Sequence, residues 1–197
     1  MQIDIFGYIF IFFVLIICLK IYNESDAFNL KCIISDVDGE KYCVRERNKL
    51  QLAADLLAKV TNNCKELVNY VEKEYPDNED VKRLVKNFNP KRISETLPTS
   101  TLTAYSENKG EKIAFCLNTT KNGNKLIDIN TLTFVAIHEL SHLMTASIGH
   151  KPEFWANMKF LLINAKKIGI YTPIDYKVNP ERYCGIVISD NPYYDIK

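Results

Sequence analysis

All three histidines of the chain fall within thirteen residues, as His138-Glu139-Leu140-Ser141-His142 followed by His150. On a helix, residues i and i+4 project from one face about a turn apart, so His138 and His142 can offer imidazole nitrogens to a single metal ion. Glu139 stands beside the first ligand, where a carboxylate reaches a water at the metal rather than the metal itself and can act as general base. His150 is the expected third ligand. A scattered histidine is commonly a surface group or a hydrogen-bonded core residue, but exclusive clustering at helical spacing argues for ligation. Three neutral imidazoles with an open fourth position are the donor set of a hydrolytic Zn2+ site.

The neighbouring residues have to form the platform. Leu132, Phe134, Val135, Ile137, Leu140 and Met144 make the flanks of the motif helix apolar, as in a helix buried within a domain, and Asn130 is the expected N-cap. Ala146-Ser147-Ile148-Gly149 ends that helix, with Gly149 suited to the left-handed conformation, and Pro152 opens the next one. His150 therefore falls in a tight connection between helices. The second helix runs from Glu153 to about Lys167, with Phe154, Trp155, Met158, Leu161, Leu162 and Ala165 at helical spacing. Trp155 is read as core packing.

His138-Glu139-Leu140-Ser141-His142, then Gly149-His150 and Glu153-Phe154-Trp155, resembles the WLM and SprT-like zinc metallopeptidases. The resemblance is closest to the WLM-type metallopeptidases of large DNA viruses and extends over residues 28–192. It includes Tyr42-Cys43-Val44-Arg45, Ala53-Ala54-Asp55-Leu56-Leu57-Ala58, the run from Tyr105 to Ile113, and Tyr183-Cys184-Gly185. It implies a gluzincin-like fold, bound Zn2+, Glu139 as base and hydrolysis of peptide bonds. Family members usually place the third histidine ten residues after the first, whereas His150 is twelve after His138. If His150 stands aside, Glu153 or a more distant acid is the next candidate ligand. Tyr183, in a segment shared with the viral relatives, is a candidate oxyanion donor.

At the other end of the chain, every residue from Ile5 to Leu19 is apolar, aromatic or glycine. With Asp4 and Lys20 at the interfaces, residues 3–22 match the roughly 20 residues that a membrane-crossing helix needs. No Lys or Arg precedes the run and no A-x-A-like site follows it, which favours an uncleaved anchor over a signal peptide. Lys20 on the C-terminal side inclines the following domain towards the cytosol, at a virion or host-cell membrane. The sequons at Asn23 and Asn118 would matter only on a lumenal domain.

After the apolar run come all 25 lysines and arginines and 23 of the 24 acidic residues, so the domain carries about +2 and no strongly basic half. Nothing in that balance points to nucleic acid as a partner. The expected architecture is α+β: one transmembrane helix (3–22), then a small zincin-like domain (28–192). That domain comprises a long amphipathic helix from Asn48 to about Tyr75, a short helix near Val81–Phe88 capped by Asp77, and β-hairpins. A hairpin of 101–107 and 111–117, turning at Asn108-Lys109-Gly110, can border the cleft and hold an extended peptide along its edge, its lysines and glutamates forming a solvated face. The six cysteines show no C-x-x-C pair, and a two-residue turn at Asp38-Gly39 sets Cys43 opposite Ile34, so free structural thiols are expected. The resulting expectation is a membrane-anchored zinc metallopeptidase acting on peptides or proteins. The alternatives are a zinc-stabilised non-proteolytic hydrolase and a membrane-tethered structural or binding protein.

Overall fold

The computed structural model describes residues 5–24, 29–121 and 123–195. Ile3 and Asp4 of the expected span, Ser25 of the first sequon and the expected domain start at residue 28 lie outside the described residues. Helix α1 (Ile5–Glu24) is apolar on every face, and its window Ile5–Tyr22 is long and apolar enough to cross a membrane, with none of it buried against the rest of the chain. A soluble domain's core helix would be covered. A signal sequence passes the same test of length and composition.

The remainder is a mixed α+β arrangement with four more helices and three small sheets among the described residues. Helix α2 (Leu50–Glu74) is its spine, burying Ala53, Leu57, Val60, Cys64, Leu67 and Val71 along one stripe. Helix α3 (Glu79–Asn87) follows, capped by Asn78, whose side chain accepts the amides of Asp80 and Val81. The cap is thus one residue later than the expected Asp77. Helix α4 (Ile129–Met144) carries the histidine motif and packs against α2, α3 and α5 (Pro152–Lys167). Its N-cap is Asp128, accepting the Thr131 amide, rather than Asn130. Asn130 instead trades two hydrogen bonds with the backbone of Thr172, at 2.9 and 2.8 Å, and so pins the segment after α5.

Strands β1 (Leu30–Ile34) and β2 (Lys41–Arg45) form an antiparallel hairpin. In the central sheet β3 (Ile93–Glu95) runs parallel to β5 (Lys112–Phe115), and β4 (Ala104–Glu107) lies antiparallel on the other side of β5, at the sheet edge. A last hairpin joins β6 (Glu181–Tyr183) to β7 (Ile186–Ile188). Glu95, wholly buried on β3, accepts the Arg45 amide at 2.7 Å and pairs with the Arg47 guanidinium, while Arg45 donates to Thr96, Leu97 and Lys121 carbonyls. A buried carboxylate needs such partners, and here they stitch β2 to β3.

The cysteine expectation is overturned. The β1–β2 loop spans four residues, Asp36 to Gly39, because Ser35 and Glu40 close the ladder and Gly39 takes a left-handed φ of 72°. This shifts the register by two from that of a two-residue turn and sets Cys32 opposite Cys43, where they form a disulfide. Cys116 and Cys184 form a second, while buried Cys64 and exposed Cys18 are free. An unreduced digest analysed by mass spectrometry is expected to yield Cys32–Cys43 and Cys116–Cys184 crosslinked peptides. Four alkylatable thiols at these positions in freshly isolated protein would contradict the pairing.

Candidate metal centre

Helix α4 places His138 and His142 one turn apart, and the connection into α5 folds His150 back over them. Their ligand nitrogens all lie within 4.8 Å of one another, and the Nε2 atoms of His138 and His150 are 3.0 Å apart. Tetrahedral ligation at about 2.0–2.1 Å separates two nitrogens by roughly 3.3 Å, so the triad needs little adjustment to hold Zn2+. Phe154, fully buried in the first turn of α5, lies against all three imidazoles, with ring centroids 4.9, 4.4 and 4.6 Å from His138, His142 and His150. It is the apolar floor of the site. Trp155 departs from the core-packing expectation: it is 43% exposed, stacks on His150 and donates its indole N–H to the His150 carbonyl at 3.1 Å. The Phe-Trp pair was visible in the sequence, but not its division into a buried floor and an exposed brace.

The electrostatics suit a cation of the right chemistry. Burial, then the neighbouring imidazoles, push His138 down to about 3, and burial followed by His150 and Lys109 lowers His142 to about 4. Both rings are neutral at physiological pH, with lone pairs ready for a metal. Burial raises Glu139 to about 7, offset in part by a hydrogen bond from Ser106 on β4. Glu139 is 4% exposed yet lines, with all three histidines, a cleft of about 460 Å³ whose opposite wall is Tyr105, Ser106 and Lys109. Sequence reasoning missed Ser106, which carries no signal of its own.

Tyr183 is not presented to this cleft. Its hydroxyl is buried, donates to the Thr103 carbonyl at 3.2 Å and accepts the Cys116 amide at 3.1 Å, and burial pushes its pKa up. The hydroxyl holds the start of β4 instead of meeting a developing oxyanion. Glu153 is likewise no ligand: its carboxylate accepts the amides of Ala146 and Ser147 at 3.1 and 3.4 Å. Lys109, expected on a solvated face, sends its ammonium to the end of α4, within 2.5 Å of the Thr145 carbonyl and 3.2 and 3.1 Å of those of Ala146 and Ser147.

No family model matches the chain. It is 29% identical over 181 residues to the uncharacterized protein R325 of Acanthamoeba polyphaga mimivirus, with 90% of each chain covered. It is 32% identical over 82 residues to the uncharacterized protein 136R of Invertebrate iridescent virus 6, covering 41% of this chain and 44% of that relative. Among solved structures it is similar to Wss1 from Saccharomyces cerevisiae at 17% identity and a TM-score of 0.46, over 62% of this chain and 83% of that one.

Glu139 makes the metal-free protein pH-sensitive in a defined direction. Below its unfolded pKa of about 4.5 the group is protonated in both states. Between 4.5 and about 7 only the unfolded chain ionises, so stability falls as pH rises and the loss is complete above 7. Metal-free Glu139→Gln is therefore expected to be more stable than wild type at pH 8, by an amount on the order of 3 kcal/mol or less, and indistinguishable from it near pH 4. Parallel denaturant melts at the two pH values measure this, and equal stability at pH 8 would contradict the burial argument.

Proposed function

We propose that the chain is a membrane-anchored zinc metallopeptidase of WLM/SprT-like type, with residues 3–22 as anchor and 28–192 as catalytic domain. The observation that carries this reading is a buried carboxyl, Glu139, in the same cleft as three convergent neutral imidazoles. A site that only clamps two helices together has no use for an acid there. His138, His142 and His150 would hold Zn2+. When bound, the ion supplies Lewis acidity, lowering the pKa of a water towards about 7 and polarising a carbonyl.

The chain's own residues supply the rest. Glu139, with its pKa near neutrality, takes a proton from the attacking water and returns it to the amide nitrogen that leaves. Ser106, across the same cleft, favours the ionised form of that carboxyl. The substrate can be held by backbone alone. The Cys116 amide donates to the Thr103 carbonyl, so by antiparallel alternation Tyr105 bonds to Ala114 while the amides and carbonyls of Ala104 and Ser106 point away from β5 along the cleft side. An extended peptide laid there gains affinity with little side-chain selectivity.

The two disulfides favour an oxidising environment for the domain, opposite to the side that Lys20 suggests. Of the two signals, two cystines weigh more than one lysine.

The purified protein is expected to contain about one equivalent of zinc and to lose it in His138→Ala or His142→Ala. Glu139→Gln should keep the zinc while peptide hydrolysis drops about 10²–10⁴-fold. Full activity in Glu139→Gln would refute the mechanism, and zinc retained in both histidine variants would refute the site. For the anchor, an intact N-terminus in the carbonate-resistant membrane pellet is expected. A soluble product starting near residues 23–28 would identify α1 as a cleaved signal.

A further inference from the structure

His138 and His142 are placed by a helix, but His150 is not. It hangs on the connection 145–151, and beyond buried Thr145 that connection has no core of its own: Ile148 is 84% exposed, Ala146 and His150 are exposed, and Gly149 has a left-handed φ of 83° with open space beside it. Phe154 and Trp155 pack on the His150 ring, but apolar packing does not set the backbone that carries it. Its backbone is fixed by charged groups from two directions. Lys109 takes the carbonyls of Thr145, Ala146 and Ser147 and approaches that of His142 at 3.5 Å, while Glu153 takes the amides of Ala146 and Ser147. Trp155 then holds the carbonyl of His150 itself.

We propose that Lys109 is a positioning residue for metal binding: its ammonium, opposed by Glu153, sets the conformation of the 145–148 backbone and through it brings His150 to the metal. This goes beyond the hydrolytic reading and rests only on the triad being a metal site. The geometry is specific. Lys109 is itself left-handed at φ 59°, in the β4–β5 turn, and that turn is seated by Gly110, where a Cβ would come within 2.1 Å of the Asn87 carbonyl oxygen. Three ammonium protons serve the carbonyls of four residues, His142, Thr145, Ala146 and Ser147, and charge-assisted bonds of this kind are about twice as strong as neutral ones. A methionine has the reach and none of the donors.

The test uses the full chain in detergent, with zinc affinity read by competition with a chromophoric chelator and ligand geometry read from the visible spectrum of the Co2+ form. Lys109→Met is expected to weaken zinc by about 10–100-fold, the usual loss on removing a group that orients a ligand, and to diminish the Co2+ absorption of the three-imidazole site. Lys109→Arg, which keeps the donors, should recover much of both. In a His150→Ala background Lys109→Met should change affinity less than about threefold, because the ligand it positions is gone. Should Lys109→Met fold poorly, Glu153→Gln approaches the same loop from its amide side and is expected to give the same loss. Wild-type affinity and spectrum in Lys109→Met would overturn the proposal. An equal loss in the His150→Ala background would also overturn it, since the lysine would then act on α4 or on the fold. If the wild-type protein takes up no zinc, the metal reading itself fails and this proposal with it.

Discussion

A helix that carries candidate metal ligands in its last two turns ends beside the site they form, and its final carbonyls have no partners within the helix. Left bare, they would present the negative end of the helix dipole to the same small volume that holds the imidazoles. Three side chains from outside α4 meet this need. Asn87 donates to the Leu143 carbonyl at 3.1 Å, Arg83 to that of Met144 at 2.7 Å, and Lys109 to those beyond. The first two come from α3 and the third from the β4–β5 turn, so satisfying one helix end docks a helix and a hairpin at once. The close seat of Gly110 on Asn87 joins those two groups to each other. Much of the cleft wall follows from that single requirement.

The other tension lies in Glu139. In the proposed role of general base it must ionise, and burial opposes ionisation. The structure leaves the group near neutrality because the Ser106 hydroxyl supports the charged form and the cleft admits solvent on one side. Burial, with the neighbouring imidazoles and, at His142, Lys109, pushes His138 and His142 towards neutral forms that can donate lone pairs. Acid and ligands are thus tuned apart by their surroundings although His138 and Glu139 are adjacent in the chain.

What was legible in the sequence is what local chemistry dictates. The i, i+4 histidines, the apolar flanks of α4 and the Pro152 start of α5 each report on their own few residues and formed where those signals lie, while Gly149 is left-handed as expected but lies beyond the end of α4, which stops at Met144 with Thr145 as its C-cap. Caps slipped by one or two residues, to Asn78 and Asp128, because several Asn and Asp residues compete and the winner is set by what else each can reach. Asn130 lost to Asp128 because Thr172, distant in sequence, claimed it. Lys109, Trp155 and Ser106 were illegible for the same reason: nothing local states that a turn lysine faces a helix end or that an indole lies on an imidazole. The disulfides failed on a finer point, a loop of four residues where Asp-Gly suggested two.

The second disulfide bears on the cleft because of where it lies. Cys116 follows β5 and Cys184 follows β6, and the Cys184 and Gly185 amides bond to the carbonyls of Asn118 and Thr119. The adjacent Tyr183 hydroxyl bridges the Cys116 amide and the Thr103 carbonyl at the root of β4. A crosslink between segments 68 residues apart therefore secures the tyrosine that secures the edge strand facing the metal centre. Tyr183 contributes to the cleft through the backbone it holds, which is why a motif reading could single out the residue while misplacing its role.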